Sequence, residues 1–211
     1  MSGTTIDKKI SSSMKKVGKL IGWEFKHYRP DTYITPLQTR NYLATLNLAY
    51  SQDDSFKKGT EDPLSYFKLF CEYGTVRPGD LLRNQAQDRT FIVFINTPLR
   101  GPVGVTATHL VNILRPVYNL TGDKKTVFEQ VATDLPIALQ NIGAVADNGS
   151  APAATKMATT QTRLEIWTWT PSDLIRNNDV IEIDTARYIV QTVAHTPNGT
   201  TVRALSTKVG K

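Results

Sequence analysis

VRPGDLLRNQAQDRTFIVFINTPLRGPVGVTATHLVNILRP, residues 76–116, is the stretch whose reading decides the fold. It opens on a turn, Arg77-Pro78-Gly79-Asp80, that enters the apolar pair Leu81-Leu82. After a polar loop it resumes as Thr90-Phe91-Ile92-Val93-Phe94-Ile95, and a second turn over residues 97–102 leads to a strand-like tail ending at Leu114-Arg115-Pro116. Short β-branched and aromatic runs punctuated by Pro and Gly predict a small antiparallel sheet or barrel. Nothing in the stretch forms a catalytic arrangement.

Working outward toward the C-terminus, the same pattern returns. Arg163 to Trp169 alternates as a strand that Pro171 ends, and Asn177-Asn178-Asp179 turns into Val180-Ile181-Glu182-Ile183. Tyr188 to Val193 follows, and Asn198-Gly199 before the last run, residues 200–205, is a strong hairpin signal. The two blocks share a plan: Gly79-Asp80-Leu81-Leu82 corresponds to Asn178-Asp179-Val180-Ile181, and Arg89 to Val93 corresponds to Ala186 to Val190. Duplication and two meanders that merely obey the same turn chemistry both fit this plan. Either way the fold class is mainly β, two small antiparallel β-barrel or sandwich-like modules.

Upstream, Ile6, Ile10, Met14, Val17 and Leu20-Ile21 recur at helical spacing with Lys8, Lys9, Lys15, Lys16 and Lys19 between them. This predicts an N-terminal amphipathic helix that ends near Gly22. Residues 25–37 hold Pro30 and Pro36, which keep the chain extended and predict an arm. Such a stripe and such an arm either wrap their own domain or clasp a neighbouring subunit. The expectation carried forward is the second, with Ile6, Ile10, Met14, Val17, Trp23, Tyr28, Arg29, Pro30, Tyr33, Pro36 and Leu37 as the assembly interface. Residues 38–50 are expected to be a short helix or a packed irregular segment, and residues 65–70 a further strand.

Between the blocks, residues 127–140 carry scattered apolar residues around Pro136, and residues 143–155 are small, polar and turn-prone. The expected organisation is therefore helix and arm over 1–50, a first β-module over 51–118, a connecting segment with a mobile loop over 119–160, and a second β-module over 161–211.

The totals exclude little. The 211 residues suffice for a real core, and a net charge of +6 permits an acidic or nucleic-acid neighbour without demanding one. Cys71 is the single cysteine, so no intramolecular disulfide forms, and a reducing compartment is expected. No run approaches the ~18 apolar residues of a membrane-spanning helix, and the first residues lack the apolar core of a signal peptide. Gly101-Pro102-Val103-Gly104 places a proline where a phosphate loop needs donating amides. His27, His109 and His195 lie far apart, and the acidic pairs Asp53-Asp54 and Glu61-Asp62 are interrupted by Lys57 and Lys58. No catalytic, cofactor or metal residue is assigned, and the expectation is a non-enzyme.

Three stretches carry a resemblance. Tyr28-Arg29-Pro30 with Pro36-Leu37, then YFKLFCEYGTVRPGDLL over residues 66–82, then Arg115-Pro116 with DLPIALQ over residues 134–140, resemble a family of small virion proteins of tailed bacteriophages. The layout of residues 167–205 is similar to head-completion and head–tail joining proteins, which are small β-barrels. One departure is that Asn96-Thr97 precede Pro98-Leu99, where that family's aromatic strand often ends in apolar residues. The resemblance implies a structural subunit of the neck, collar or head–tail connector, located in the virion and forming a closed ring with itself. It implies neck or tail proteins as further partners, no membrane, and packaged DNA held by non-specific charge, with Lys8, Lys9, Lys15 and Lys16 as candidates for the DNA-facing side. The competing readings are a tail-tube or baseplate component and a basic nucleic-acid-binding protein.

Overall fold

Side chains that alternate in and out along each strand wrap the apolar runs into two barrels. The computed structural model describes residues 3–57, 64–72, 74–98, 100–117, 127–145 and 161–206. An N-terminal helix α1 (Gly3–Ile21) leads into β1 (Trp23–Tyr28), β2 (Tyr42–Gln52), β3 (Tyr66–Phe70), β4 (Leu81–Asn84), β5 (Arg89–Thr97) and β6 (Gly101–Ala107). These close an antiparallel barrel in the order β1-β2-β3-β6-β5-β4, with the seam made by β1 on β4. The chain continues as β7 (His109–Val117), β8 (Val127–Val145), β9 (Gln161–Thr168), β10 (Val180–Ile183), β11 (Ala186–Thr196) and β12 (Gly199–Ser206). Their order, β7-β8-β9-β12-β11-β10 around a second closed barrel, is the same path.

Each interior is filled by the residues of one face. In the first barrel Phe25, Leu48, Leu69, Leu82, Phe91 and Val93 meet at the centre, with Phe25 stacked on Phe91 at 5.7 Å between ring centroids. Gly104 leaves room there, since a β-carbon would sit 3.1 Å from Leu69 and 3.2 Å from Phe91. In the second barrel Val111, Ile113, Leu135, Ile137, Leu164, Ile166, Ile181 and Val190 do the same. A fully buried Leu, Ile or Phe contributes about 1.5–3 kcal/mol by leaving water, so the interior faces dominate stability.

The correspondence between the two sequence blocks holds residue for residue. Val93 pairs with Gly104 and Val190 with Ala204, and a β-bulge follows each, before Ile95 and before Thr192. The hairpin turns place Asp88 (φ 46°) and Asp184 (φ 51°) in the left-handed region, and the preceding turns do so with Gly79 (φ 90°) and Asn178 (φ 70°). Shared strand order, register, bulges and turn conformations make the two barrels structural repeats of one unit.

Three expectations need correction. The boundary between modules lies at the passage from Ala107 to His109, outside the segment 119–160. The proposed first module, 51–118, omits β1 and nearly all of β2 and includes β7; residues 127–145 are β8, a strand of the second barrel. Asp134 bulges this strand at φ 51° and breaks its alternation, which disguises it in the sequence. Residues 38–50 are a single 3-10 turn, Thr39–Asn41, and then β2; Leu46, Leu48 and Tyr50 face inward at the period of a strand. Of the expected mobile loop, residues 143–145 belong to β8, and the rest lies outside the described residues.

The barrels dock side to side through outward faces. Across β1, β4, β5, β6 and β3 the first barrel presents one in-register row, Tyr28–Leu81–Ile92–Val105–Tyr66. This row packs with Val103 against Ala138 and Trp167 of the second barrel, with Trp169 alongside. Phe94 meets the Trp167 indole at 5.9 Å.

Candidate assembly surface

The residues expected to clasp a neighbour do most of their work inside the chain. Tyr28 is buried in the row between the barrels, and Leu37 packs on the same cluster. After Pro30, itself half-buried, the arm crosses to the second barrel. There Tyr33 joins the packed cluster that includes Ile113, Leu135 and Ile181, while the Ile34 carbonyl accepts a 2.7 Å hydrogen bond from the Thr133 amide. The Tyr33 hydroxyl donates to the Gly79 carbonyl at 2.8 Å, so this ring is held by both barrels. Burial, reinforced by the Asp80 charge, raises the Tyr33 pKa and keeps the phenol protonated. Pro36 is buried, and the Asn41 side-chain amide donates to the Thr35 and Pro36 carbonyls, which returns the arm to β2. The arm is thus an internal strap. Its prolines and aromatics supply extension and anchors, and the second barrel of the same chain lies within reach of them.

The helix likewise docks on its own barrel. Met14 is buried, and its sulfur lies 2.7 Å from where a β-carbon of Gly101 would stand. Gly18 approaches so closely that a β-carbon would be 2.5 Å from the Phe70 carbonyl oxygen and 2.8 Å from that of Asn47. Ile10 and Val17 are half-buried, and the side chain of Ile6 lies outside the described residues. Of the expected interface Trp23, at the start of β1, remains outward at 53% exposed; beside it the helix end leaves Leu20 82% and Ile21 71% exposed, two residues outside that expectation. Lys8, Lys9, Lys15 and Lys16 are exposed, with Lys15 paired to Glu72 of the barrel.

Two features escaped the sequence reading, and they are repeats of each other. Asp80 is buried, and its carboxylate accepts from Arg29 Nε at 2.8 Å and Nη2 at 2.7 Å, from His27 Nε2 at 2.7 Å and from the Arg77 amide at 2.8 Å. Asp179 accepts from Arg115 Nε at 2.8 Å and Nη2 at 2.9 Å and from the Arg176 amide at 2.8 Å. In both sites the same Arg nitrogen also donates to a loop carbonyl, of Thr75 and of Leu174. Burial pushes the Asp80 carboxyl up, but the donated bonds from Arg29, His27 and the Arg77 amide outweigh it and hold its pKa below the ordinary range. The bonds to Asp80 and to Asp179 raise the pKa values of Arg29 and Arg115. These ion pairs sit one residue beyond the seams Tyr28–Leu81 and Leu114–Val180, where each barrel closes. They latch the cylinders. The signal was present in the sequence as Arg29-Pro30 and Arg115-Pro116 and as Arg-x-x-Asp before each apolar pair.

The other ionisable groups make local contacts. Asp53 accepts from the Ser55 amide and Asp54 pairs with Lys57, while Glu61 and Asp62 lie outside the described residues. His109 contacts Thr108 and His195 contacts Thr200. Burial, with the nearby Glu72 charge, pushes the Cys71 thiol up to about 12. A cleft of about 350 Å³ lies between the arm and the second barrel, walled by Asp31, Glu129, Asp173, Arg115 and Arg176; acids and bases mix there without convergence on one point. Among the described residues no group of His, Cys, Asp and Glu is disposed to hold a metal ion. Comparison with protein-family models, with curated proteins and with solved structures finds no match.

Proposed function

We propose that this protein is a non-enzymatic structural subunit of a tailed-bacteriophage virion that forms a closed ring in the neck, collar or head–tail connector. The observation that carries the reading is how the two repeats meet. One barrel's outward row seats on a different outward face of the next, which is a heterologous contact. Repeated between copies with a rotation that closes, such contacts build rings. The sequence resemblance supplies the virion setting. Since the arm is spent inside the chain, the ring contacts fall to the two free ends of the barrel pair. A positively charged helix face, Lys8, Lys9 and Lys16, suits the rim of a DNA passage.

The reading is tested by electron microscopy of the purified full chain and by gold-labelled antibody on intact particles that contain it. Closed rings of one size, with label at the head–tail junction, are the expected result. Label along the tail tube or at the baseplate would move the protein to the tail, and a chain that makes only open filaments would overturn the ring.

A further inference from the structure

The first barrel holds the second through the row Tyr28–Leu81–Ile92–Val105. The second barrel carries the equivalent row in the same register: Leu114 opposite Val180, Val180 opposite Ile189, Ile189 opposite Leu205, with Arg163 opposite Leu205 where the first barrel has Tyr66. All of these side chains alternate outward, away from Ile113, Ile181, Val190 and Ala204 of the interior. The row is apolar and contiguous across the sheet, with Val180 buried at its centre and Leu114, Ile189 and Leu205 half-buried around it.

The opposite end of the chain offers its counterpart. On the second barrel, Ala138 and Trp167 receive the first barrel's row. Their equivalents on the first barrel, by strand pairing, are Ala49 and Phe70. That face is covered by α1, whose Gly18 lies on Phe70 and Leu48. Helix α1 thus takes on the first barrel the place that the first barrel takes on the second, and it turns Leu20, Ile21 and Trp23 outward beside it.

We infer that the row Leu114–Val180–Ile189–Leu205 is the docking surface for a second copy of this chain, which seats the α1 end of its first barrel there through Leu20, Ile21 and Trp23. The inference rests on the self-assembly part of the proposed function and names its contact. Where the internal joint presses Trp169 and the Tyr33 hydroxyl onto Gly79, a β-carbon would stand 2.6 Å and 2.5 Å from them, so only glycine fits. The equivalent turn position on the free end is Asn178, so the contact between copies leaves more space at that rim than the joint within the chain.

The experiment measures mass across concentration for the full chain carrying Ile189→Glu, carrying Leu20→Glu, and for the two variants mixed. A charge placed in a desolvated contact should weaken association about tenfold or more in either variant alone. Mixing them restores one sound pair of ends, so dimers should form and growth should stop there. Leu20 is so exposed that its variant folds as the parent does, which keeps the test sound if Ile189→Glu lowers the unfolding temperature. Association unchanged in both variants would overturn the inference and leave the ring reading standing. Association lost only in Ile189→Glu would also overturn it, since it would mean that two like rows meet. A parent chain that stays monomeric throughout removes the contact, and antibody labelling of particles then judges the virion reading separately.

Discussion

Asp80 and Asp179 each sit in the interior with a guanidinium fork on one side and a backbone amide on the other. A buried carboxylate that loses its cation keeps the whole cost of leaving water. Arg115→Ala should therefore destabilise the protein by about 3 kcal/mol, the lower end of the range for breaking a buried pair because Arg115 is itself 27% exposed. Urea unfolding checks this, and a loss under about 1 kcal/mol would place the pair with ordinary surface bridges. Acid acts on the same latch. The folded-state pKa of Asp80 lies below the unfolded value of about 3.9. Its contribution is therefore fully present above pH 4 or so, and it fades as pH falls through the folded value. Thermal unfolding followed from neutral pH downward should show this loss, and Asp80→Asn should flatten that part of the curve while lowering stability at neutral pH.

Elements differ in how openly the sequence announced them. Strands β3, β4, β5, β10 and β11 are short β-branched, aromatic or leucine runs bounded by turn residues, and their expected positions agree with the structure. The pairing of Asp80 with Asp179 and of Phe91 with Tyr188 was also legible, because turn chemistry recurs at fixed distance from an apolar pair. Strand β2 was hidden by leucines on both of its faces, Leu43 exposed and Leu48 buried, and β8 by its bulge. What the arm would embrace could not be read, since extension and aromatic anchors serve an internal strap and an external clasp alike. The helix yields a prediction of its own. Gly18→Ala gains up to about 1 kcal/mol of helix propensity. It also thrusts a methyl group to 2.5 Å from a backbone carbonyl that has no room to retreat, an overpacking cost of about 1–3 kcal/mol. The clash should win. Hydrogen exchange in α1 is then faster in the variant while the barrels keep their protection, and slower exchange would show that the helix is loosely seated.

The whole molecule is a pair of cylinders tied by a strap, and its parts are not separable where the sequence suggested. Deleting residues 1–37 removes β1 along with the helix and strap, so the first barrel loses its closing strand, the latch to Asp80 and the Tyr33 anchor. The truncated chain should lose the first barrel's cooperative unfolding step; a truncation that keeps near-ultraviolet circular dichroism and the parent unfolding temperature would show that β1 is dispensable. Closure has a mechanical meaning as well. The last strand, β12, is hydrogen-bonded on one side to β11 and on the other to β9. A load applied at Ser206 finds no free margin from which to unzip the sheet, and must shear two ladders together. Pulled from that end in a single-molecule trap, the second barrel should hold and then rupture in one step, behaving as a rivet rather than a zip.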